Sequence, residues 1–194
     1  MRLFVAFPIP EDVSGTLEET LNPLQKELKR LLGRSLKWVP QENYHITLKF
    51  LGETSQGVYE NFLAPLERLS RNLPSFETGF EEIGFFPLIG FPKVMWLSLD
   101  FPENVFDFQR KMESFFERFG YRREQREFVP HMTLARFSKL KPSQVREMRE
   151  LVSSFMEKNL QEIRIRFSID RLVLYRSDLS PQGPTYTPVK IFSL

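Results

Sequence analysis

At 194 residues the chain can hold one substantial domain or two lobes sharing a core. It has no cysteine, which excludes disulfides, thiolate metal sites and a cysteine nucleophile. A net charge of +2 permits a short anionic substrate but lacks the basic blocks of a protein that coats long nucleic acids.

The opening apolar run, residues 3–7, is too short for a signal segment, is followed by Pro8 and Pro10, and reads as a first strand. Leu17, Leu21, Leu24, Leu28 and Leu31 then recur at helical steps, with Gly33 as a stop. Residues 36–39 and 44–50 read as strands, and Phe62, Leu66, Leu69 and Leu73 mark a second helix. Strands follow at 76–85 and 94–99. The stripe Phe101, Val105, Phe108, Met112, Phe115 and Phe119 makes a third helix, closed by Gly120. Residues 131–137 form another strand. Val145, Met148, Val152 and Phe155 give a fourth helix, with Pro142 in its first turn. The chain finishes in strands at 163–169, 172–175 and 186–192. No stretch reaches the ~20 apolar residues of a membrane span, so no membrane contact is expected. A cytoplasmic monomer is the expectation.

The two halves look duplicated. The predicted fold is α+β and bilobal, with pseudo-twofold symmetry. Each lobe is an antiparallel or mixed sheet with helices on its outer face, and the active-site cleft lies between the lobes. Residues 1–194 would form a single catalytic domain.

The chain has two histidines, and both fall in one local pattern. His45-Ile46-Thr47-Leu48 and His131-Met132-Thr133-Leu134 are each His-x-Thr-Leu within a strand-like run. Residues two apart on a strand share a face, so His45 projects with Thr47 and His131 with Thr133, backed by apolar neighbours. Facing lobes would bring two imidazoles and two hydroxyls into one cleft. In-line attack on a phosphodiester needs one group to take a proton from water and another to give a proton to the leaving oxygen on the opposite side. Two imidazoles with reference pKa near ~6.5 can do both. The threonines would donate to the non-bridging oxygens. A metal site is not expected, because three or four ligands do not assemble from this pattern. Gly-x-Ser-x-Gly and glycine-rich phosphate-loop motifs are also absent.

Around these motifs the sequence resembles the two-histidine phosphoesterases, and among them the RNA 2′,3′-cyclic phosphodiesterases historically called 2′-5′ RNA ligases (the LigT/ThpR group). The resemblance runs from residues 2–7 through Trp38-Val39-Pro40 and residues 45–53. It continues through 130–136 to the closing segments 174–177 and 183–187. It implies hydrolysis of the 2′,3′-cyclic phosphate of an RNA end or small cyclic nucleotide to a 2′-phosphate, without a cofactor. It also implies that His45 is the general acid and His131 the general base, and that weak reverse 2′-5′ ligation can persist. Two alternatives stand beside it: a non-catalytic RNA-end-binding protein, and the same chemistry on another small cyclic phosphate or a 2′-5′ oligonucleotide.

Three further residues are candidates for substrate binding. Lys49 lies on the histidine parity of its strand and would shape a positive field. Phe7 is the stacking candidate from its place on the opening strand, with core packing as the competing reading. Arg136 lies on the wrong parity for simple alternation. However, the second motif has one residue more than the first before its phenylalanine. A β-bulge near Ala135 would accommodate that residue and turn Arg136 into the cleft, where the resemblance also places it.

Overall fold

The alternation seen in the sequence builds a single antiparallel sheet in the computed structural model, which describes residues 1–181 and 183–194. The strands are β1 (Arg2–Pro8), β2 (Leu36–Trp38), β3 (His45–Glu53), β4 (Phe76–Phe86), β5 (Val94–Leu99), β6 (His131–Phe137), β7 (Arg166–Ile169), β8 (Arg171–Ser180) and β9 (Gly183–Ser193). Their order is β7-β4-β5-β6-β3-β1-β8-β9, with β2 pairing β6 beside this path. The helices are α1 (Glu11–Leu32), α2 (Gln56–Ser70), α3 (Glu103–Glu117) and α4 (Pro142–Ile163).

Two four-strand lobes, β3-β1-β8-β9 and β7-β4-β5-β6, meet where β3 pairs β6 through Ile46 and Met132. Both side chains are fully buried. Beyond this pair β6 turns to β2, with Leu36, Lys37 and Trp38 opposite Phe137, Arg136 and Ala135. The lobes repeat each other residue by residue. His45 pairs Pro8 of β1, and His131 pairs Ser98 of β5. Phe4 of β1 lies between Phe50 and Tyr175, as Val94 of β5 lies between Arg136 and Phe86. The pseudo-twofold is therefore written in the hydrogen-bond register.

The helical stripes face the sheet's outer side. Leu17, Leu21 and Leu28 of α1, Phe62 and Leu66 of α2, Met112 and Phe116 of α3, and Met148 of α4 are all fully buried. Gly33 ends α1 at φ 53°, a left-handed conformation, and its N–H is given to the Lys29 carbonyl. Helix packing crosses the lobes. α1 packs against α4, and α2 meets α3 through Phe62 and Phe116, whose ring centroids lie 5.3 Å apart. One apolar cluster thus runs through both lobes. Among the described residues no helix is long and apolar enough to cross a membrane.

Candidate active site

The pair Ile46–Met132 fixes the site. Counting outward from it in antiparallel register sets His45 across from Thr133 and Thr47 across from His131. The two buried residues point to the core, so the two histidines and two threonines share the opposite face, and all four are partly exposed there.

Each imidazole is held in the same way. His45 Nδ1 donates to the Asn43 carbonyl at 2.7 Å, and His131 Nδ1 donates to the Val129 carbonyl at 2.7 Å. A carbonyl can only accept, so each ring carries its proton on Nδ1 when neutral, and Nε2 is left for a ligand. Upstream contacts set these carbonyls in place. The buried Tyr44 hydroxyl donates to Glu18 at 2.7 Å and accepts from Trp38 Nε1 at 3.3 Å, which ties the start of β3 to α1 and β2. The Pro130 carbonyl accepts from Leu99 N–H at 3.2 Å, tying the start of β6 to β5.

Aromatic rings wall both sides. Phe4 and Tyr186 each lie 5.0 Å from His45, and Phe4 stacks on Tyr175 at 5.2 Å. Phe86 lies 5.3 Å from His131 and stacks on Trp96 at 4.8 Å. The indole lies flat over Gly84, where a Cβ would stand 2.5 Å from Cη2 and 2.8 Å from Cε2. This burial withdraws water from the imidazoles. It holds His45 far below its ordinary pKa, at about 4, partly offset by the Asn43 carbonyl and reinforced by the charges of His131 and Arg136. His131 is lowered too, by burial first and then by Arg136, against the pull of the Val129 carbonyl.

Parity breaks in both motifs. Leu48 has no partner on β1 between the Thr47–Ala6 and Lys49–Val5 pairs, and Leu134 has none on β5 between the Thr133–Trp96 and Ala135–Met95 pairs. These are matching β-bulges. The one in β6 turns Arg136 onto the histidine face, exposed and close enough for its charge to bear on His45, His131 and Tyr186.

The matching bulge in β3 overturns the expectation for Lys49. It sends Lys49 inward, where Nζ meets Glu113 of α3 at 2.5 Å and the Arg122 carbonyl at 2.7 Å. The ion pair is 5% and 7% exposed, so Lys49 is a core residue and cannot reach a ligand. Phe50, not Lys49, takes the cleft position in this lobe, equivalent to Arg136, and it is 66% exposed. The two motifs are therefore equal in length, with Phe50 matching Arg136 and not Phe137.

Phe7 is corrected as well. Its ring is fully buried against Phe76 and Phe101 at 5.3 and 5.9 Å, because Leu3, Val5 and Phe7 share the core face of β1. Phe4, on the alternate parity, faces the histidine. The sequence reading also missed Tyr175, Tyr186, Phe86 and Trp96. Tyr175 and Tyr186 lie in the closing segments that carried the family resemblance, but no periodicity singled them out.

Residues 9–181 match the sequence profile of the 2′-5′ RNA ligase superfamily. Similar proteins include the RNA 2′,3′-cyclic phosphodiesterase of Archaeoglobus fulgidus, 32% identical over 193 residues and 99% of each chain. That of Methanothermobacter thermautotrophicus is 30% identical over 100% of this chain and 99% of its own. Among solved structures, TT0787 of Thermus thermophilus superposes with a TM-score of 0.78 at 27% identity, covering 100% of this chain and 98% of that one. E. coli LigT complexed with 3′-AMP shares the fold, with a TM-score of 0.71 at 23% identity over 100% of this chain and 97% of its own.

Proposed function

Because the chain belongs to the 2′-5′ RNA ligase superfamily, we propose that it hydrolyses the 2′,3′-cyclic phosphate of RNA ends to a 2′-phosphate, with residues 1–194 acting as one catalytic domain of two lobes. The observation that carries this reading is the matched pair of imidazoles. Each has Nδ1 locked by a backbone carbonyl and Nε2 left for a ligand, on either side of the Ile46–Met132 pair.

In the proposed reaction the cyclic phosphorus lies between the two rings. His131 Nε2 takes a proton from water as the water oxygen bonds to phosphorus. The bond from phosphorus to the 3′-oxygen breaks, and His45 Nε2 delivers its proton to that oxygen. Thr47 and Thr133 donate to the non-bridging oxygens as their charge grows, and Arg136 neutralises it. Both imidazoles favour the neutral form in the free protein. The negative charge of a bound phosphodiester raises the pKa of His45, so the ring takes up a proton from solvent and the acid is made in the presence of the substrate it serves.

Exposed Phe50, 5.8 Å from Phe4, offers its ring to the terminal base in the role first given to Phe7. The test is turnover of an RNA with a 2′,3′-cyclic end, with the product isomer read by phosphorus NMR. His45→Ala and His131→Ala should each lower kcat by about 10²-fold or more while the fold persists. Near-normal turnover in either variant, or a dominant 3′-phosphate product, would overturn the mechanism. Binding of the cyclic-ended RNA with no turnover by the wild type would leave only RNA-end binding.

A further inference from the structure

Lys37 plays no part in the chemistry above, yet it sits on the same face. It occupies the middle of β2, where Leu36 and Trp38 on either side pack against the core. Its Cα partner is Arg136. Residues paired across two strands project to the same side, so Lys37 and Arg136 leave the sheet on the same face. Like charges directly opposite on neighbouring strands are destabilising. Among the described residues neither cation has a carboxylate within 4.0 Å. Two exposed cations facing each other without a counterion form a place for an anion larger than one phosphate.

The neighbourhood holds Lys37 there. The β8–β9 hairpin crosses to this edge, and Asn43 Nδ2 donates to the Pro184 carbonyl at 3.3 Å. A Cβ on Gly183 would lie only 3.4 Å from Lys37 Nζ, so the ammonium runs along the hairpin's backbone. Asn43 also gives its carbonyl to His45, so one short turn links the first histidine to the hairpin that flanks Lys37. Lys37 lies one strand beyond Arg136, on the side where β3 and β6 have parted. Strands are spaced ~5 Å apart, so Lys37 lies about one strand's width further along this face than Arg136.

We infer that Lys37 binds the internucleotide phosphate next to the cyclic end, beyond the phosphate held by the histidines and Arg136. The cleft is then built for an RNA end of two or more nucleotides rather than for a free cyclic mononucleotide. This inference rests on the RNA-end reading above and extends it by one subsite.

The experiment compares a 2′,3′-cyclic mononucleotide with a dinucleotide carrying the same cyclic end, from about 50 to 200 mM salt. Wild-type kcat/KM should be higher for the dinucleotide. Its dependence on log salt should be steeper by about 0.7, the worth of one more phosphate contact on a single strand. Lys37→Ala should raise KM for the dinucleotide about fivefold, the upper worth of one exposed ion pair, and remove the extra slope. KM for the mononucleotide should stay within about twofold. Lys37→Arg should retain the preference, since the charge remains.

Equal losses on both substrates, or on neither, would overturn the subsite. Affinities for the uncleavable 2′-phosphate products read the subsite without turnover. A Lys37-dependent preference for the dinucleotide product in a protein that hydrolyses neither substrate would uphold the subsite and sink the hydrolase reading. Hydrolysis of both substrates with no Lys37 effect would do the reverse.

Discussion

Replacing Lys49 by Met should unfold the protein more easily without touching its substrate. Glu113 receives Lys49 Nζ at 2.5 Å, Glu124 N–H at 3.0 Å and Gln109 Nε2 at 3.2 Å, and the ion pair is almost wholly out of water. Removing only the cation leaves a buried carboxylate with two neutral donors, and breaking such a pair costs about 3–5 kcal/mol. With a urea dependence of ~3 kcal/mol per molar, the midpoint should fall by roughly 1–2 M. Adding Glu113→Gln should recover most of the loss, because the stranded charge is then gone. Urea unfolding of the four proteins in that cycle, with KM for a cyclic-ended RNA measured below each transition, separates the two roles. An unshifted midpoint, or a severalfold rise in KM at full stability, would return Lys49 to the substrate site and refute the β3 bulge as its cause.

Three other outcomes are expected. The pH profile of kcat/KM should be a bell centred on the acid side of ~6.5, since both imidazoles are lowered in the free protein and one must be protonated. The kcat profile should lie closer to neutrality, because bound phosphate raises both groups; coincident profiles centred above about 7 would contradict the burial argument. Phe50→Ala should raise KM by the worth of one stacked base, about 1–3 kcal/mol or roughly 5- to 150-fold, at little change in melting temperature. Gly84→Ala should push Trp96 off β4 and, through Phe86, loosen His131. Its signatures are a shifted tryptophan emission and a lower kcat, and an unchanged spectrum with full activity would show that the indole can yield.

The elements were largely legible in the sequence because each has a strong local signal. The stripes of α1 and α3 bury most of the residues that their period assigned, Leu17, Leu21, Leu24 and Leu28 in one and Val105, Phe108, Met112 and Phe115 in the other, whereas Leu31 and Phe119 at their ends are only half-buried. The histidine and threonine positions followed from alternation alone. Alternation failed at Leu48 and Leu134, where a bulge places two consecutive residues inward. A bulge leaves little trace when the residue it turns inward is a lysine, because its partner Glu113 lies 64 residues away. Arg136 was recovered through an unequal-length argument that the structure replaces with a simpler one, two motifs of the same length that both bulge. β1 was opaque for a different reason. With apolar walls on both its faces, the run 3–7 gives no contrast by which to choose Phe4 over Phe7.

The strand order also bears on how the chain folds as it is made. The lobe of β4, β5, β6 and β7 is drawn from residues 76–169 and can form as one stretch. The other lobe joins β1 and β3 to β8 and β9, so its central strand β1 waits for residues 173–176 before its second edge is covered. Until then a bare apolar edge, Leu3 to Ala6, is open to pairing with another nascent chain. Slowing synthesis ahead of residue 171 should therefore favour aggregation, and supplying the last two strands early, by circular permutation onto the front of β1, should relieve it.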